Sequence, residues 1–229
     1  MGNTNRLRHI FLFISTAILV AGCATTSAPK ESGFLPDYSR LQKSPAVAGG
    51  NRLAYVNPKF TPAHYNAIKL DPVVYYPAPQ PTADISMEAL TQIRKEMDKA
   101  LREKLGAKVR LVDRAGPGVA HVRVAITAVG VETRTLKAYQ FVPVALALTG
   151  AKAVAQGGLP RDATIAIESQ VTDSVSGELL YAAVRGGTGE RVVDAAQGRG
   201  GVQLTSLQPL IGEWSTAAAN AAQKHIKEK

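Results

Sequence analysis

The chain has 229 residues, 45% of them hydrophobic, a formal charge of +9 and a single cysteine. One cysteine excludes an internal disulfide framework and a cysteine-rich metal site, so core packing alone has to hold the fold. Lysines and arginines are scattered from Lys43 to Lys229 with no dense run, which describes a solvated basic surface and not a nucleic-acid stripe.

The first 22 residues have the three parts of a secretory leader. Arg6 and Arg8 give a positive start, Ile10 to Val20 an apolar run, and Ala21-Gly22 a small-residue cleavage site. The run is about eleven residues, whereas a spanning helix takes roughly 20. Val20, Ala21, Gly22 and Cys23 together resemble the lipobox of bacterial lipoproteins. The competing reading is a plain secretory leader with an incidental cysteine. The resemblance implies that 1–22 is removed as a signal peptide and that Cys23 becomes an acylated, palmitate-bearing N-terminus. Ala24 stands where an aspartate commonly marks inner-membrane retention, which implies the outer membrane, periplasmic side. One acyl chain binds a bilayer only marginally, and two or three make a lasting anchor. Removing the leader leaves 207 residues and a charge of +7, enough for one sizeable core. The membrane, through the lipid on Cys23, is thus the first expected partner. Export makes nucleic acid an unsuitable one, and an envelope protein, cell-wall component or anionic lipid fits the compartment better.

Residues 23–32 read as the lipidated N-terminus and a flexible tether, spanning at most roughly 30 Å when extended. The domain proper is expected over 33–229. Its opening stretch, 33–82, carries Phe34, Tyr38, Tyr55, Phe60, Tyr65, Tyr75 and Tyr76, interrupted by eight prolines. Aromatic residues without periodicity, spaced by proline, predict an extended segment wrapped over a core. Within it, Asn66 to Tyr76 suits a strand bent, or held at an edge, by Asp71-Pro72.

Ser86 is a natural N-cap, and Leu90, Ile93, Met97, Leu101 and Leu105 mark one face of a helix that Gly106 is expected to stop. Lys108 to Asp113 reads as a short strand. Ala120, Val122, Val124, Ile126 and Ala128 alternate with polar residues and predict a long one. The segment 136–156 is ambiguous between a packed helix and a flap. Ala163 to Thr172 and Glu178 to Arg185 read as a hairpin around the turn chemistry of Asp173 to Gly177. Gly186 to Gly201 reads as a mobile, glycine-rich connection. The last helix is expected from about Ser206–Pro209 to the C-terminus, with Leu207, Leu210, Ile211 and Trp214 on its apolar stripe. The predicted fold is α/β of the α+β kind. It has one mixed, mostly antiparallel sheet of about five strands, with two main helices on one face, behind the aromatic and proline-rich segment.

Ser32-Gly33-Phe34-Leu35-Pro36-Asp37-Tyr38-Ser39, followed by Tyr55, Pro58, Tyr65 and Asp71-Pro72-Val73, resembles the opening of a bacterial lipoprotein family known as domain of unknown function 3313. The hairpin from Glu168 to Tyr181 and Trp214 in the last helix are similar to its later blocks. The resemblance implies an exported lipoprotein and brings no activity with it.

Candidate chemistry is sparse. Past the leader the histidines are His64, His121 and His225, with no second ligand at helical spacing and no free cysteine nucleophile. No metal, cofactor or catalytic set is therefore expected. Asp37, Asp71 and Glu168 are the carboxylates a hydrolase would have to use. The local pattern instead has Asp37 ordering Tyr38-Ser39, Asp173 making a turn, and Glu168 on the face away from its isoleucine neighbours. Glycine clusters at 186–189 and 198–201 lack the phosphate-loop lysine. The leading expectation is a non-enzymatic envelope interaction or adaptor protein, with Phe34, Tyr38, Tyr55 and Tyr65 as a possible binding surface. A small-ligand or lipid carrier with a flap at 136–156 is the alternative, and an envelope hydrolase the third reading.

Overall fold

The computed structural model describes residues 31–46, 50–133, 161–192 and 201–228. The leader, the lipobox with Cys23, most of the tether and the segment 136–156 lie outside the described residues. Among those described are seven strands and two helices. In chain order they are β1 (Gln42–Lys43), β2 (Asn51–Val56), β3 (Ala67–Leu70), β4 (Val74–Tyr75), α1 (Met87–Lys108), β5 (Val119–Thr133), β6 (Arg161–Asp173), β7 (Leu179–Val192) and α2 (Leu204–Ala222). They form one sheet in the order β1-β2-β7-β6-β5-β3, with β4 also on β5. β3 and β4 run parallel to β5, and every other pair is antiparallel. The unit β3-α1-β5 is thus a parallel crossover feeding an antiparallel meander. The expected class and the shared helical face hold, with seven strands instead of about five.

Local chemistry explains most elements. The Ser86 hydroxyl accepts the Ala89 N–H at 3.1 Å, capping α1, and the Leu90-to-Leu105 stripe is buried. Helix α1 does not stop at Gly106 but continues to Lys108, so the short strand expected over 108–113 is absent; only Leu111 bridges to Ile68. A mid-helix glycine costs about 1 kcal/mol, and burial of Leu105 and Val109 on either side outweighs it. The predicted strand 66–76 divides at Asp71-Pro72 into β3 and β4, both on β5. Two two-residue strands and β2 emerge from the stretch predicted as wrap, the six residues of β2 pairing with β7.

Asp98 on α1 fastens the break between β3 and β4. It accepts the Val73 N–H at 2.8 Å and the Arg102 guanidinium at 2.8 and 3.3 Å. Burial would raise its carboxyl, but the bonds from Arg102 and Val73 and the charges of Arg102 and Arg94 outweigh that and hold it below its ordinary value. Its contribution is therefore full above about pH 4 and is lost as pH falls through the lowered folded value. Asp98→Ala is expected to lose about 1.5–3 kcal/mol at neutral pH. Urea melts at pH 7 and at pH 3 check this, because the gap between variant and wild type must narrow in acid.

The first part of the stretch expected as a mobile connection, 186–192, is strand, since β7 runs on to Val192, while 193–200 lie outside the described residues. A Cβ on Gly187 would lie 2.6 Å from Trp214 Cζ2, and one on Gly189 would lie 2.3 Å from the Ser206 carbonyl oxygen. These glycines let α2 lie directly on the strand. Helix α2 begins at Leu204, takes Pro209 inside, and ends at Ala222. The chain beyond it is tucked in: His225 stacks on Phe60 with centroids 4.6 Å apart, and Ile226 is fully buried. His225 is thus a packed residue. Both helices close one core, whose floor includes Ile126, Ile165, Val171 and Leu180.

Candidate functional site

The sheet face opposite the helices carries a strap. Glu168 on β6 has Ala125 and Val184 as its register neighbours and is fully buried beneath residues 32–41. Phe34 and Leu35 seal it with Ala125, Ala182 and Val184. The Tyr38 hydroxyl donates to Glu168 Oε2 at 2.7 Å and itself accepts the N–H groups of Gly33 at 2.8 Å and Leu35 at 3.2 Å. The Ser32 N–H donates to Oε1 at 3.2 Å. Pro36 turns the chain, and Asp37 accepts both the N–H and the hydroxyl of Ser39. Almost every polar residue of the Ser32–Ser39 block therefore has a partner in this closure.

The other residues singled out in the sequence lie apart. Phe34 and Tyr65 are buried, Phe34 edge-on to Tyr76 and Tyr65 edge-on to Phe60. Burial, and then the hydrogen bond to Asp173, push the Tyr65 hydroxyl up to about 12. Tyr55 is half-buried beneath the guanidinium of Arg40, 3.8 Å from its ring centre. The four aromatic residues are not one surface. Asp173 makes the β6–β7 turn, accepting the N–H groups of Val175 and Ser176.

His121 meets Asp71 at 2.8 Å, and Lys69 meets the other Asp71 oxygen at 2.7 Å. Burial would raise Asp71, but hydrogen bonds and charge from Lys69 and His121 together outweigh it and lower it. This is an ion-pair knot between β3 and β5. Asp37, Asp71 and Glu168 are each taken up by different donors, and among the described residues no three acidic, histidine or cysteine side chains form a metal cluster.

Concave space lies on the helical face. A cleft of about 910 Å³ opens between α2, the edge of α1 and strands β2, β7, β6 and β5, within the range of about 300–1,000 Å³ that suits a small ligand. Its wall is mostly apolar, with Met97, Leu101, Val124, Ile167 and Ala183 deep in it. Four cations line it, Arg52, Lys104, Arg185 and Lys224, against one acid, Glu213. Arg52 and Arg185 are register partners on adjacent strands. Arg52 donates to the Tyr181 hydroxyl and to the Pro45 carbonyl, each at 3.0 Å. The Arg185 guanidinium lies 4.4 Å from the centre of the Trp214 ring. Burial, and after it the charge of Arg52, push Arg185 down to about 10, so it is still a cation at neutral pH. Trp214 Nε1 is buried with no hydrogen-bond partner among the described residues.

Sequence reasoning missed this pair. The available clue was parity: Tyr181, Ala183, Arg185 and Gly187 share one face of β7, so a charged residue falls at a core-facing position. Among the described residues no helix is long and apolar enough to cross a membrane.

Comparisons with known proteins agree with the sequence resemblance. Residues 30–218 match the family described as "Protein of unknown function (DUF3313)". The uncharacterized lipoprotein YdcL of Escherichia coli K12 is 31% identical over 175 residues, 76% of this chain and 78% of YdcL. Among solved structures, the PelC dodecamer from Paraburkholderia phytofirmans is similar at 11% identity and TM-score 0.37, over 78% of this chain and 100% of that one. Protein XCC0632 from Xanthomonas campestris is similar at 10% identity and TM-score 0.38, over 73% and 91%. At such scores these likenesses are partial, and nothing about this chain follows from them.

Proposed function

The chain belongs to DUF3313, a bacterial lipoprotein family of unknown function, and from that premise we propose that it is a non-catalytic binding protein of the cell envelope, held by acyl chains on Cys23 at the periplasmic side of the outer membrane. The observation that carries the binding reading is the cleft along α2: open on one side, largely apolar, and lined by four cations to one acid. Such a site selects a partner by shape and charge. The anchor reading rests on the Val20-Ala21-Gly22-Cys23 motif and on kinship with a lipoprotein. The short tether would keep the domain close to the membrane, since the nine residues from Ala24 to Ser32 span at most roughly 30 Å.

Two measurements test this. Labelling of growing cells with a fatty-acid probe is expected to mark the wild type and not Cys23→Ala; a labelled variant, or an unlabelled wild type, removes the anchor. A photo-crosslinking residue placed at Gln208, on the exposed rim of the cleft, is expected to capture an envelope component in cells. The same residue at Val175, 67% exposed on the β6–β7 turn, is expected to capture none of it. Identical capture at both positions, or none at Gln208, overturns the cleft as the binding site.

A further inference from the structure

We propose that the protein touches the bilayer a second time, through the uncharged, proline-rich edge at residues 72–83, whose Val74 and Tyr76 sit in the headgroup layer. This rests on the anchor reading and adds to it the side of the domain that meets the membrane. The twelve residues from Pro72 to Ala83 carry no charge in a chain that is 20% charged, and nine of them are exposed. The acids at its two ends are already engaged, Asp71 by Lys69 and His121, and Asp84 by Arg161. Val74 and Tyr76 are 44% and 42% exposed. Tyr75 between them turns inward and donates its hydroxyl to the Leu90 carbonyl at 2.8 Å. Val74 pairs in register with Ala125, so both outward side chains lie on the strap side of the sheet. Tyr76 is edge-on to Phe34, and the exposed Arg123 lies 5.1 Å from the centre of the same Phe34 ring. A ring with a polar tip beside a cation on a long stem suits a membrane interface. Four prolines in the stretch lack a backbone N–H, which leaves fewer donors to strip of water.

Where the chain goes decides what covers this edge. Gly33 lies against Tyr76, a Cβ there being 3.7 Å from Tyr76 Cε1, so the chain from Cys23 enters the domain beside it. Ten residues separate Gly33 from Cys23, at most roughly 35 Å of extended chain. The acylated end thus holds this edge within that distance of the bilayer. One acyl chain alone binds marginally, and a second signal makes the hold lasting. Contact here leaves the cleft, on the helical face, open on the far side.

The mature, acylated protein is reconstituted into vesicles of phosphatidylethanolamine and phosphatidylglycerol, with benzoylphenylalanine at one position at a time. At Tyr76, and separately at Ala78, irradiation is expected to give phospholipid adducts by mass spectrometry. The control is Val175 on the β6–β7 turn, where Ser174 bonds to Val119, seven residues and about 23 Å along β5 from Ile126. Its yield is expected to be several times lower. Val74→Ser with Tyr76→Ser is expected to lower the Ala78 yield about fivefold. Equal yields at all three positions, as a freely tumbling domain gives, overturn the proposal, as does the absence of lipid at both Tyr76 and Ala78. In cells, a protein adduct at Ala78 in place of lipid also overturns it and assigns the edge to a proline-recognising partner. The N-terminal peptide of the same sample reads the anchor separately. Unmodified Cys23 removes the anchor and this contact with it, whereas acylated Cys23 without adducts removes the contact alone.

Discussion

Trp214→Ala is expected to lose about 3–5 kcal/mol of folding stability, a third or more of the total of a domain near the middle of the usual range of about 5–15 kcal/mol. The indole is 2% exposed, packs over Gly187 and Leu210, and stacks beneath the Arg185 guanidinium. Truncation removes its transfer energy, leaves a cavity where α2 meets β7, and strips Arg185 of its ring. The complementary change acts on the same seam from the other side. Gly187→Ala puts a methyl 2.6 Å from Trp214 Cζ2 and 3.2 Å from Leu210 Cδ2, an overlap expected to cost about 1–3 kcal/mol. Trp214→Phe removes the part of the indole that the methyl would strike. In the Trp214→Phe background, Gly187→Ala is therefore expected to cost at least about 1 kcal/mol less than in the wild type, a coupling within the range for contacting residues. Urea melts of the four proteins complete the cycle. Costs that simply add would show that the glycine is in β7 for some reason other than the helix lying on it.

That seam also marks where the sequence stopped being legible. Helix α1 was readable because its information is local: a capping serine and an apolar stripe at spacings of three and four. β5 was readable by alternation, and the β6–β7 hairpin by Asp173 and Gly177 at its turn. The glycines after Arg185 looked like a loop because glycine has no strand preference of its own. Their reason lies across the sheet in Trp214 and Ser206, which no local window contains. β2 was hidden for a related reason: Asn51–Val56 is six residues between glycines and Asn57-Pro58, with Arg52 at a core-facing position, and only pairing with β7 makes it a strand. The cleft depends on that pairing, since it brings Arg52 beside Arg185. A pair more than a hundred residues apart leaves only the weak parity clue on β7. The strap was half-legible. The side of the sheet that Glu168 faces, and the local role of Asp37, both followed from pattern, but nothing in the pattern joined Tyr38 to Glu168.

Tyr38→Phe is expected to cost about 1.5–3 kcal/mol, taken mainly from the local hold of the strap, because hydrogen bonds to a buried carboxylate group are worth about that much. The lost hydroxyl bridges three groups at once: it donates to Glu168 Oε2 and accepts the Gly33 and Leu35 N–H groups. Glu168→Gln is no gentler, even though the shape is kept. The groups that meet Glu168, Tyr38 O–H and Ser32 N–H, are both donors. An amide that turns its oxygen toward one of them must set its NH2 against the other, leaving a buried donor unmatched at a cost of about 1–3 kcal/mol. Both variants are expected to open the strap before the sheet. The exposed Arg40 and Lys43 near its end then become the first trypsin sites. Cleavage there is expected to accelerate about tenfold or more under native conditions, as a loss of 1.4 kcal/mol in local opening implies. The urea midpoint of the cut or uncut sheet should move much less. Unchanged proteolysis with a lowered global midpoint would instead make Glu168 part of the main cooperative core, and the strap inseparable from the sheet it covers.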